Sequence, residues 1–249
     1  MTREALFAEE ELDRHGFLDG RVTVWQPWAG YRSGADAVLL AAACPAKPGQ
    51  RVLDLGCGAG VAAFCLAARV GGLALHGLEV QPAYADLARR NGAALGVAIA
   101  VHEGDVGAIP ASLRGVEVDH VIANPPYFEQ AASSAPDDPG KDRAFRTDAP
   151  VSVWIDTALR RIRPGGWLTV IHRTACLPAL LAALEGRAGA IAVLPLAARA
   201  DRPADRIVLR ARKGAAAPLT LHSPFAMHDG DGFSARADRV LREGEALEF

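Results

Sequence analysis

The run Val121-Ile122-Ala123-Asn124-Pro125-Pro126-Tyr127-Phe128 joins an apolar stretch to residues that can activate an amino group. An amino nitrogen conjugated to a ring or a carbonyl is a weak nucleophile, because its lone pair is delocalised. Two hydrogen-bond acceptors can correct this. The Asn124 side-chain oxygen and the Pro125 carbonyl can each accept one N–H and turn the lone pair toward an electrophile. Proline fixes φ at 125 and 126 and pushes Asn124 out of the α region, so the turn is stiff. Tyr127 offers a flat face for a planar group, with Phe128 in support, and a nucleobase using it must first leave its own stack. No general base is needed, since the nitrogen attacks while protonated and sheds its proton afterwards. An Asn-Pro turn alone is an ordinary strand ending; Tyr127 and a second constellation upstream raise it above that.

That second constellation is Val52-Leu53-Asp54-Leu55-Gly56-Cys57-Gly58-Ala59-Gly60, which ends a strand and opens a helix, so glycines fall where the backbone turns tightly beneath a nucleotide-type ligand. A dinucleotide fingerprint requires glycine at 61, where Val61 stands, and Asp54 precedes the first glycine by two. This acid-x-G-x-G-x-G pattern resembles the S-adenosylmethionine loop of class I methyltransferases. Such a cofactor has no pyrophosphate, and its cationic methionine end favours a carboxylate such as Asp54. Asp54, Gly56, Cys57, Gly58 and Gly60 are therefore candidate cofactor residues. Glu79, with Val80, ends the second strand in a position to bind ribose hydroxyls, and Asp105, with Val106, follows the third strand and can accept from an adenine amino group. Both acids could instead cap the next helices. Asn124 borders the same cofactor, and Asn-Pro-Pro-Tyr is the motif of enzymes that methylate conjugated amino or amide nitrogens.

The elements that must carry these residues alternate. Arg51 to Leu55, Ala74 to Glu79, Ile99 to His102, Asp119 to Ala123 and Trp167 to His172 read as strands, with helices over Gly60 to Val70, Pro82 to Leu95 and Val151 to Ile162. A helix near Pro178 to Glu185, strands near Ile191 to Leu194 and Arg206 to Arg212, and a hairpin-like end over Pro218 to His222 with a turn at Asp229 to Gly232 follow. The expected fold is α/β, a Rossmann-like class I methyltransferase with a seven-stranded, mostly parallel sheet, one late antiparallel strand and helices on both faces. Residues 1–50 form a substrate- or cofactor-side segment and 51–249 the core of a single domain. The polar loop from Glu129 to Pro150 is a second substrate-side candidate.

At 249 residues, 50% hydrophobic and 22% charged, the chain can bury one α/β core. Acidic residues at Glu4, Glu9, Glu10, Glu11, Asp13 and Asp19 exclude a secretory leader, and no apolar run approaches a membrane span, so a cytoplasmic protein with no membrane partner is expected. Cys44, Cys57, Cys65 and Cys176 show no metal-ligand or disulfide spacing, and no metal is expected. A net charge of -2 excludes nucleic-acid binding through overall basicity. The most basic window, Arg199 to Lys213, holds six basic and two acidic residues and reads either as a solvated loop and edge strand or as a phosphate contact.

Beyond these motifs, Gln26, Gly30-Tyr31-Arg32-Ser33-Gly34-Ala35-Asp36-Ala37-Val38-Leu39-Leu40, Arg163-Pro164-Gly165-Gly166-Trp167-Leu168 and Arg206 to Gly214 resemble the bacterial tRNA(Val) adenine-N6 methyltransferases over most of the chain. The family usually has Thr where Ala35 stands, and often a glycine soon after Asn-Pro-Pro-Tyr, absent from Phe128 to Ala132. The resemblance implies N6-methylation of an adenosine near the anticodon of a tRNA partner, with residues 30–40 lining the cleft. Tyr31, Arg32, Asp36, Tyr127 and Phe128 are the candidate substrate residues; Arg32 and Asp36 could hold the substrate, hold the cofactor's amino and carboxylate ends, or pair with each other. The same motif would serve glutamine-N5 methylation of a release factor, although a separate helical domain typically precedes the glycine loop in those enzymes. Adenine methylation in DNA would need a target-recognition domain, and a non-catalytic RNA-binding module would not need Asp54, Glu79, Asn124 and Tyr127. Oligomeric state is not legible.

Overall fold

The computed structural model describes residues 6–127 and 149–249. Phe128 and residues 129–148 of the polar loop lie outside them. A hairpin of β1 (Leu12–Phe17) and β2 (Val22–Pro27) leads to α1 (Ala35–Ala43), and then strands and helices alternate. These are β3 (Arg51–Leu55), α2 (Val61–Arg69), β4 (Ala74–Glu79), α3 (Pro82–Leu95), β5 (Ile99–Glu103), α4 (Ala111–Arg114) and β6 (Val118–Ala123). After the loop come α5 (Val151–Arg161), β7 (Ile162–Arg173), α6 (Leu177–Leu184), β8 (Ala188–Ala197) and β9 (Ala204–Lys213).

The sheet runs in the order β5-β4-β3-β6-β7-β9-β8, parallel throughout except β9, which is antiparallel to both neighbours. Seven principal strands and one late antiparallel strand match the expectation. The full sheet has nine, because β10 (Thr220–Leu221) and β11 (Phe225–Ala226) add two-residue parallel pairs to β8. They cover what would otherwise be an exposed edge. The segment from Pro218 to His222 therefore holds β10 rather than a hairpin, and the hairpin is β12 (His228–Asp229) with β13 (Gly232–Phe233).

Alternation along the buried strands sorts the core into two layers. Val52, Ile122, Ile171 and Val208 pack with α1 and α2, whereas Leu53, Leu55, Val121, Ala123, Leu168 and Val170 pack with α5 and α6. The strands are apolar on both faces because helices cover both. Pro82 starts α3, and Gly96 ends it in the left-handed region at φ 66°. Strand β7 begins five residues before the expected Trp167: Ile162 pairs with Val118, the Pro164-Gly165-Gly166 turn bulges out, and Trp167 resumes pairing at His120.

The hairpin and helix α1 are the substantial elements absent from the sequence reading, although Val22-Thr23-Val24-Trp25 alternates buried and half-buried residues after an Asp19-Gly20 turn. Asn91, fully buried on α3, clasps the hairpin. Its amide accepts from the Trp25 N–H at 2.8 Å and donates to the carbonyls of Trp25 and Ala59, both at 3.0 Å. Gln26 then folds the following segment back, accepting from the Ser33 N–H at 2.7 Å. In this way residues 30–36 arrive at the end of the sheet that carries the glycine loop.

Candidate active site

Strands β3 and β6 are neighbours, but from β3 the chain first moves outward through β4 and β5 before returning, so a crevice opens between their carboxyl ends. A cleft of about 670 Å³ occupies it. Its walls come from the ends of successive strands: Gly56 and Gly58 after β3, Glu79 and Val80 at β4, Gly104 and Val106 after β5, Asn124 to Tyr127 after β6, and Arg173 at β7. Tyr31, Arg32 and Asp36 close it from the amino-terminal side. Residues from Tyr31 to Arg173 thus meet largely because the parallel strands all end on one edge.

The glycine loop is shaped by what surrounds it. Gly56 has φ 70°, and a Cβ there would lie 2.8 Å from the Trp154 ring, so no side chain fits without displacing α5. Glu79 locks the loop to the next turn. One carboxylate oxygen accepts from the Gly58 N–H and the other from the Gln81 N–H, each at 2.9 Å. Burial pushes the Glu79 carboxyl up, while the backbone N–H groups of Gln81, Gly58 and Val80 pull it back toward the charged form.

Four sequence-predicted cofactor residues do not line the cleft. Asp54 is buried beneath the loop, Cys57 points its thiol at Gly77, and Gly60 starts α2 against the Phe64 ring. Asp105 turns aside to accept from the Gly107 N–H at 2.6 Å. The Cys57 and Asp105 side chains meet a packing or backbone partner instead of the cleft, and Asp54 and Gly60 lie beneath or behind the loop. Val106, by contrast, faces the cleft, its carbonyl accepting from the Thr157 hydroxyl at 2.7 Å.

Asp54 carries its own consequence. It is 3% exposed, and one of its carboxylate oxygens has no partner. Burial pushes its carboxyl up to about 8; the Ala63 N–H opposes that shift and the Glu79 charge adds to it. Above pH ~4 the unfolded chain has already lost this proton whereas the fold keeps it to about 8, so stability falls through that window, by roughly 1.4 kcal/mol per pH unit at most. Asp54→Asn should therefore melt higher than the parent at pH 8 and remove this slope. Parallel melts at pH 5 and pH 8 that show no difference in slope would contradict it.

Around Tyr127 the structure assembles a network the sequence did not disclose. The Tyr127 hydroxyl donates to Asp36 at 2.9 Å, and Asp36 is ion-paired with Arg206 of β9. Burial, then the Asp36 charge and hydrogen bond, pushes the phenol up, so it stays protonated and donating. The buried His172 ring meets Tyr127 edge-on at 5.1 Å, and the Arg173 guanidinium lies 5.4 Å from its ring centre. Arg32 does not pair with Asp36; it faces the His15 ring at 2.9 Å. Trp154 and Arg173 also line the cleft and were missed, since nothing in their local sequence marks them; Arg206 lines it too, a residue the basic window had marked only as one possible phosphate contact among six.

The basic window from Arg199 to Lys213 does not form one patch. Arg210, Arg212 and Lys213 donate to the carbonyls of Phe249, Gly165 and Ile162, Arg199 and Arg202 are exposed on a turn, and Arg206 enters the cleft. Among the described residues, no cluster of histidine, cysteine or acidic side chains could hold a metal, and no helix is long and apolar enough to cross a membrane.

A seven-strand core in this order, with a glycine loop and an Asn-Pro-Pro-Tyr turn meeting at its switch point, defines a class I S-adenosylmethionine-dependent methyltransferase. The model of the methyltransferase small domain matches residues 33–138. The tRNA1(Val) (adenine(37)-N6)-methyltransferase of Dickeya chrysanthemi is 30% identical over 204 residues, covering 80% of this chain and 79% of that one. That of Porphyromonas gingivalis is 30% identical over 159 residues, 61% of this chain and 62% of its own. The chain belongs to the tRNA1(Val) (adenine(37)-N6)-methyltransferase family. Among solved structures, a predicted O-methyltransferase from Agrobacterium tumefaciens superposes with a TM-score of 0.71 at 29% identity, over 86% of this chain and 98% of that one. The Thermus thermophilus 16S rRNA N2 G1207 methyltransferase, solved with S-adenosylmethionine and guanosine, shares the fold with a TM-score of 0.56 at 22% identity, over 81% and 50%.

Proposed function

We propose that this protein methylates N6 of an adenine in tRNA, the reaction named for its relatives, and that it does so in the cytoplasm where tRNA is modified. The observation that carries this reading is that Asn124, Pro125 and Tyr127 share one cleft with Gly56, Gly58 and Glu79. The residues fit the cofactor: a tight glycine turn admits backbone but no side chain, and Glu79 is fixed at its edge. Gly56, Gly58, Glu79, Val80 and Val106 would hold it. When bound, it supplies an electrophilic methyl group on a sulfonium.

Asn124 and the Pro125 carbonyl then accept the two N–H bonds of the adenine amino group and direct its lone pair, while Tyr127, anchored by Asp36, stacks on the ring. A hydroxyl substrate would suit the site less well. It offers one hydrogen to two acceptors and needs a base, whereas the acids lining the cleft are Asp36, engaged by Tyr127 and Arg206, and Glu79, engaged by two backbone N–H groups. Incubation with methyl-labelled S-adenosylmethionine and unmodified bacterial tRNA, followed by digestion to nucleosides, should yield N6-methyladenosine. Label appearing in a release-factor glutamine and not in tRNA would replace this reading with amide methylation.

A further inference from the structure

Tyr127 is held from more than one side by residues of other elements. Its hydroxyl donates to one carboxylate oxygen of Asp36, in the first turn of α1, while Arg206 of β9 donates to the other oxygen. Asp36 is therefore a bridge whose two oxygens are both assigned. With its side chain 17% exposed, the carboxylate needs a counter-charge, and Arg206 provides it. At the edge of the tyrosine ring stands His172, 5.1 Å away and inclined at 73°, its own ring set by the Arg173 N–H, which donates to Nδ1 at 2.9 Å. A tyrosine ring has two side-chain torsions to settle. The hydroxyl bond resists swing at the far end, and the His172 edge resists rotation about the ring axis.

We propose that Arg206 is a positioning residue for methyl transfer: by gripping one oxygen of Asp36 it fixes the other as the acceptor for Tyr127, and so sets the plane on which the target base stacks. This rests on the adenine reading above and adds a residue that acts on the base through two others. Tyr127 stands two residues after Pro125, whose carbonyl takes one N–H of the amino group, so the stacking plane and the acceptors must agree. A tilt of that plane carries the amino nitrogen off line with the methyl group, which costs rate more than binding. Of the six basic residues between Arg199 and Lys213, Arg206 alone lines the cleft, and there its charge is spent on Asp36 rather than on a phosphate.

The test is a double-mutant cycle on the full chain, read as single-turnover methylation of unmodified tRNA together with KM and the salt dependence of tRNA binding. Tyr127→Phe, which keeps the stacking face and loses the hydroxyl, should lower the rate about tenfold, and Arg206→Met should do the same with KM within about twofold of the parent. Combined, the two should cost no more than Tyr127→Phe alone, because Arg206 acts only through that hydroxyl. The salt slope of tRNA binding should be unchanged in Arg206→Met. A higher KM with a slope reduced by about one would instead make Arg206 a phosphate contact and overturn the proposal. Losses that multiply in the double variant, with a lower melting temperature, would reduce Arg206 to a structural role and overturn it equally. Should Arg206→Met fail to fold, Arg206→Lys, which retains the charge without the planar fork, enters the same cycle and must show the same coupling to Tyr127→Phe. These outcomes leave adenine as the target so long as the parent forms N6-methyladenosine; a parent that labels no adenine in tRNA overturns the adenine reading and this inference with it.

Discussion

Asn124→Ala should lose about 10²–10³-fold in kcat while S-adenosylmethionine binds almost as before. The substitution removes one of two acceptors and leaves the Pro125 carbonyl, so the amino group can still enter but its lone pair is no longer aimed. Stability should change little, because Asn124 is half-buried at the end of β6 and the strand residues before it, Val121 to Ala123, are untouched. Single-turnover rates with saturating tRNA, alongside calorimetric titration of the cofactor, separate the two effects. A parallel fall in cofactor affinity would assign Asn124 to cofactor binding and deprive it of the aiming role.

The second large effect is expected at Glu79, and there binding should fail first. Its carboxylate satisfies the N–H groups of Gly58 and Gln81 in a buried setting. Glu79→Ala orphans both, at about 1–3 kcal/mol each, and also removes the acceptor offered to the ribose. We expect cofactor affinity to drop by about 10²-fold and the melting temperature to fall with it. Glu79→Gln keeps one acceptor but turns an amide N–H₂ toward the other backbone donor, so it should recover part of the stability and less of the binding. Cofactor affinity within about threefold of the parent in Glu79→Ala would show that Glu79 only shapes the loop.

The sequence reached the local chemistry because that chemistry is local. Gly56 to Gly60 must turn a strand into a helix, and Asn124 to Tyr127 must end a strand stiffly; both constraints act over a few residues and leave a readable trace. Helices α2, α3 and α5 fell within a residue or two of expectation for the same reason, their apolar spacing and the Pro82 start being properties of the segments themselves. The hairpin was not read, because its support is distant: Val22 and Val24 pack in the core with α1 and α2, and Asn91, 66 positions from Trp25, holds it to α3.

What the chain alone determined, then, is the order of strands and helices, the two turns that meet the ligands, and the class of reaction they serve. Tertiary structure decided which neighbours of those turns face the cleft. Asp54, Cys57 and Gly60 stand in the same loop as Gly58, and Asp105 follows its strand much as Glu79 does though with a weaker signal, yet packing turned them toward backbone or core. Conversely, Trp154 and Arg173 come from separate elements with no short-range signal in the sequence, and only the antiparallel register of β9 on β7 separates Arg206 from the rest of its basic window. The physical reason is the same throughout: a turn's conformation depends on its own φ and ψ, but the contacts of a side chain depend on which distant segments the sheet brings alongside it.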